Sequence, residues 1–99
     1  MPRVMFTITY GIKAEQRDAY LELARKMKEH FTTVGKKNYA VYEAKGKKNQ
    51  FTEVFITNSM EEYDALEDDQ DERTEELVTG LEELIDDDGM KYSTLVESL

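Results

Sequence analysis

The chain has no cysteine, no tryptophan and one histidine in 99 residues. Without cysteine there can be no disulfide, no thiolate metal site and no cysteine nucleophile, and nothing points to an oxidising compartment. No run of apolar residues is long enough for a membrane span. The opening Met1-Pro2-Arg3-Val4 does not have the apolar core of a signal peptide, so a cytoplasmic protein is the expectation. Phosphate-binding loops, glycine-rich dinucleotide fingerprints and nucleophile motifs are also missing. Basic charge is scarce in one half: residues 59–99 hold two Lys/Arg against sixteen Asp/Glu, whereas residues 1–58 hold eleven against six. A surface carrying that acidic excess repels nucleic acid and anionic lipid, so neither is an expected partner.

What is present is one domain's worth of alternating and helical pattern. Strands are expected at 3–10, 38–45, 50–57 and 90–98, and amphipathic helices at 13–34 and 59–87. In the first helix Tyr20, Leu23, Ala24, Met27, Phe31 and Val34 fall on one face, and Gly35 is placed to end it in a left-handed conformation. Gly46-Lys47-Lys48-Asn49 reads as a hairpin loop between the middle strands. Ser59-Met60-Glu61-Glu62 reads as a capping box that opens the second helix. The order strand–helix–strand–strand–helix–strand, with right-handed crossovers, implies an α+β, ferredoxin-like split βαβ fold over residues 1–99. Its antiparallel sheet has the spatial order 4-1-3-2.

Two helices cover one face of such a sheet. The other face still shows one residue from each of the pairs Phe6/Met5, Tyr39/Tyr42 and Phe55/Val54. A second copy of the sheet is the simplest cover, so a homodimer burying about 1,600 Å² in total is expected.

This element order, with the passage Glu53-Val54-Phe55-Ile56-Thr57-Asn58-Ser59-Met60-Glu61-Glu62-Tyr63-Asp64-Ala65-Leu66 running from a strand into a capped helix, resembles the dimeric α/β-barrel superfamily. That group includes antibiotic-biosynthesis-type monooxygenases, muconolactone isomerases, haem-degrading enzymes and stress-responsive barrel proteins. The resemblance implies a face-to-face homodimer with a pocket in each protomer between sheet and helices. It does not carry over a haem site, because the second helix has no histidine and the chain no tryptophan.

Candidate site residues follow from that expected pocket. Gln70, Arg73 and Thr74 interrupt the apolar stripe of the second helix. Either they border a ligand pocket, with Arg73 anchoring an anionic group, or the helix bends near 67–72 and they sit at a wet kink; the bend is the more economical reading. Tyr20 and Tyr63, on the apolar stripes of the two helices, are further ligand candidates, and Gln16 could donate at the pocket mouth. His30 and Arg73 are the residues that could act in catalysis, His30 as a base. The acidic runs at 67–72 and 86–88 lack calcium-loop spacing, and no ligand set suggests zinc or iron, so no metal and no cofactor is expected. Three functions fit: a small-ligand binding dimer, a cofactor-independent monooxygenase or isomerase acting on an enolisable aromatic or small organic acid, or an acidic interaction dimer without a pocket.

Overall fold

The computed structural model describes residues 2–68 and 71–99. Strands β1 (Val4–Gly11), β2 (Asn38–Glu43), β3 (Gln50–Thr57) and β4 (Lys91–Val96) form one antiparallel sheet in the order β2-β3-β1-β4. Helices α1 (Arg17–Glu29), α2 (Met60–Asp68) and α3 (Glu72–Glu82) complete the chain. This is the ferredoxin-like arrangement expected from the element order, with one helix more.

Strand alternation decides which side chains meet the helices. Val4, Ile8 and Tyr10 of β1, Tyr39 of β2, and Phe51, Glu53 and Phe55 of β3 lie on the covered face. Met5, Tyr42, Val54 and Leu95 lie on the other, where Met5, Tyr42 and Leu95 are exposed. That open face is more polar than the strand pattern suggests. Thr7, Thr9, Thr52 and Ser93 share it, and the Thr9 and Thr52 hydroxyls are 3.0 Å apart. The main core lies between the sheet and α1 and α3, built on Tyr10, Tyr20, Met27, Phe51, Leu77 and Leu81.

The structure corrects the first expected helix and the end of the second, and the second bends where the sequence favoured it, near 67–72. The first is three pieces: a 3₁₀ turn at Ala14–Gln16, α1 itself, and a π-helical turn at His30–Val34. The π turn inserts one residue, so the stop moves along the chain. Gly35 keeps a right-handed φ of −78°, and Lys36, at φ 52°, takes the left-handed position. The Lys37 amide then closes the end onto the Phe31 carbonyl at 2.8 Å.

The second expected helix is broken. Asp71 is extended (φ −96°, ψ 170°) and its carboxylate accepts from the Thr74 amide at 2.7 Å, which starts α3 as a new helix. That helix also stops at Glu82 rather than at 87. Beyond it the backbone is extended against the end of β1: Lys13 N donates to Leu84 O and Asp86 N to Gly11 O. A Cβ on Gly11 would lie 2.2 Å from Asp86 Oδ2, so a larger residue there would have to push the Asp86 carboxylate aside. At the start of α2 the Glu62 amide donates to Ser59 Oγ at 3.2 Å, while the Glu62 carboxylate takes the Asn58 amide rather than that of Ser59. The flanking strands are shorter than expected, β2 ending at Glu43 and β4 at Val96.

Candidate functional site

A cleft of about 270 Å³ opens between the sheet and the helix layer, near the lower limit for a small-ligand pocket. Over the described side chains of α2, residues 60–66, none is fully buried, whereas α1 buries Tyr20 and Met27 and α3 buries Thr74, Leu77 and Leu81. Five rings line the cleft: Phe6, Phe31, Phe55, Tyr63 and Tyr92. Phe6 is their hub, stacked on Tyr92 at 6.1 Å and 15°, edge-on to Tyr63 at 6.0 Å, and 6.3 Å from Phe55. Tyr63 is held by a hydroxyl contact of 3.0 Å to Thr94 on β4.

Among the described residues the one acidic side chain in that lining is Glu53, which is 3% exposed. Strand alternation places it inward between Phe51 and Phe55. The Tyr39 hydroxyl, on the neighbouring strand β2, donates to Glu53 Oε1 at 2.6 Å. Burial pushes the Glu53 carboxyl above its ordinary pKa, and hydrogen bonding from Tyr39 and Tyr10 opposes that shift. Tyr10 and Tyr20 share a hydroxyl contact of 2.8 Å behind it. Burial and the nearby carboxyl raise the pKa of Tyr10 and of Tyr39, so these phenols stay neutral donors. Glu53 is not among the residues proposed from sequence; the signal that could have pointed to it is an acid inside the alternating Phe51, Glu53, Phe55 stripe, on a face the helices turn out to cover.

The residues proposed from sequence scatter. Tyr63 and Thr74 line the cleft. Tyr20 is fully buried at the other end of the helix layer, 4.3 Å from the Phe51 ring, and does not reach the cleft. Arg73 is exposed and paired with Glu76 at 3.1 Å. With α3 starting at Asp71, Thr74, Leu77 and Leu81 take the inward stripe, and Arg73, about 100° away from Thr74, points outward. Gln70 lies outside the described residues. His30 Nε2 sits 3.1 Å from Asp71 Oδ2, tying the π turn to the start of α3, and its side chain is 12% exposed. Its nearest opening is a shallow outer depression shared with Arg73, not the cleft. Among the described residues no group of three or more His, Cys, Asp or Glu is placed to hold a metal ion, and no helix is long and apolar enough to cross a membrane.

No family model and no curated protein matches the chain. Solved structures do. A conserved protein from Methanosarcina mazei superposes with a TM-score of 0.83 at 14% identity, over 99% of this chain and 95% of that one. An antibiotic biosynthesis monooxygenase gives 0.73 at 14%, over 97% of each chain. A NIPSNAP family protein from Agrobacterium tumefaciens gives 0.71 at 18%, over 97% of this chain and 86% of that one. The chain therefore shares its ferredoxin-like fold with these solved structures. At these identities the likeness establishes the fold alone.

Proposed function

We propose that this protein is a homodimer that binds a small, ring-bearing organic molecule in the cleft between its sheet and helices. The observation that carries the reading is Glu53: a buried carboxyl at the wall of a mostly aromatic and aliphatic cleft, which Lys37 and Thr74 also line, is costly for stability alone and useful for holding a ligand. The volume suits one ring or two fused rings. Native mass spectrometry against a panel of such compounds tests it, alongside Val78→Trp, which adds bulk at a half-open position of the lining. Binding by the wild type that the tryptophan abolishes is the expected result. A panel without binders, or equal binding by the variant, overturns the reading.

The dimer rests on the open face, where Met5, Tyr42 and Leu95 are exposed on a sheet with no helix over them. Light scattering at micromolar concentration should return the mass of two chains, and a monomer mass refutes it. A second reading, a cofactor-independent monooxygenase or isomerase, draws on the raised Glu53 carboxyl as a proton acceptor and on the name carried by two of the structural neighbours. The cleft itself counts against an interaction dimer without a pocket.

A further inference from the structure

The lining of the cleft also bears on which ligand chemistry it accepts. Aromatic faces carry the negative side of a quadrupole, so a ring-lined cleft attracts cations and disfavours anions. Phe6, Phe55, Tyr63 and Tyr92 present such rings around one space, and Glu53 adds a carboxyl to the same space. Tyr39 holds that carboxyl by its Oε1 atom, so it is fixed in orientation before any ligand arrives. Lys37 reaches the cleft too, but its ammonium is folded over Gly35, where an added Cβ would meet Nζ at 3.2 Å. Gly35 belongs to the neighbouring, more polar depression and not to the cleft lining. The chain's net charge of −9 adds a long-range field that draws cations and repels anions.

We infer that the cleft selects an organic cation, an arylalkylammonium whose nitrogen pairs with the Glu53 carboxylate while its ring lies among Phe6, Phe55 and Tyr92. The inference rests on the ligand-binding reading above and adds the charge of the ligand. A carboxylate ligand of the same shape would set two like charges together in an apolar space, which is costly. A neutral alcohol can hydrogen-bond Glu53 but gains neither the charge pair nor the full ring attraction.

Three probes of matched size separate these cases: 2-phenylethylammonium, 2-phenylethanol and phenylacetate, titrated into the wild-type protein by ligand-observed NMR. The expected order is ammonium, then alcohol, then carboxylate, with the ammonium at least about tenfold tighter than the alcohol. Glu53→Gln should bring the ammonium down to the affinity of the alcohol and leave the alcohol little changed. Tyr92→Leu, at an exposed position, should weaken the ammonium more than the alcohol, and so serves if the Glu53 variant does not fold. If phenylacetate binds best, or ammonium and alcohol bind alike, the charge assignment is overturned while the cleft reading stands. If none of the three binds, the charge assignment is overturned, and the compound panel and Val78→Trp decide separately whether the cleft binds anything.

Discussion

The two ends of the helix-covered sheet face are built from the same kinds of residue and are put to different use. At one end Tyr10, Tyr20, Phe51, Leu77 and Ile85 close into a core against α1 and α3. At the other, Phe6, Phe55, Tyr63 and Tyr92 are left partly open under α2. Aromatic content does not separate them. Helix contact does: α1 and α3 lie on each other closely enough that Gly80 faces Leu23, at 3.7 Å from an added Cβ, while α2 lies across the far end of the sheet and closes less of it. A sheet with the same alternation from end to end can thus be solid core at one end and binding surface at the other.

The sharpest break of this comparison uses adjacent residues of α3. Leu77 faces the packed end at 2% exposure, and Val78 faces the cleft at 37%. Leu77→Ala should cost about 2–5 kcal/mol in urea melts. Val78→Ala should stay within about 0.5 kcal/mol. Equal costs would mean that the cleft is packed as tightly as the core.

Acid and base limbs of stability should also divide between the two regions. Glu43 accepts a two-pronged pair from Arg17 at 2.6 and 2.9 Å, and a bond from the Asn49 amide; Arg17, then Asn49, lowers its pKa to about 2. A depressed carboxylate stabilises the fold above its unfolded pKa and loses that contribution as pH falls from about 4.5 toward 2. Glu43→Gln should therefore flatten the acid limb of a stability-against-pH curve. Glu53 runs the other way. Its pKa is raised by burial, so its favourable contribution is full below the unfolded pKa and fades as pH rises through the folded one. Glu53→Gln should remove the loss on that rising side, read as the urea midpoint measured from pH 4 upward. A midpoint that does not respond to pH differently in this variant would show that Glu53 is not a buried acid.

A modest effect is expected on the loosely held element. Ser59→Ala removes the acceptor of the Glu62 amide at the start of α2 and should cost about 1 kcal/mol. Because α2 roofs the cleft, the same variant should weaken binding of any cleft ligand more than Leu77→Ala does when both are assayed well below their unfolding transitions. The reverse order would place the binding determinants at the packed end.

Local chemistry made much of the fold readable. Period-two alternation located four strands, Ser59 and Glu62 marked the start of α2, and the element order implied the sheet order, because strand crossovers have a fixed hand. The site was readable only in part. Thr74 and Tyr63 reach the cleft, but the most chemically conspicuous residues, Arg73 and His30, are tied up at the surface by Glu76 and Asp71. Their placement turns on the helix break at Asp71, and one residue of phase decides whether an arginine faces the sheet or water.

By itself, then, the sequence determined the elements, their order, the absence of thiol chemistry and the acidic second half, all properties of short windows or simple counts. Tertiary structure decided which sheet face the helices cover, because alternation describes two faces without saying which is inside. It also decided that α2 leaves a cleft, because a helix's angle on a sheet depends on every side chain beneath it. And it gave Glu53 its meaning, since an acid in a strand becomes a buried carboxyl only once Tyr39 on β2 is brought beside it.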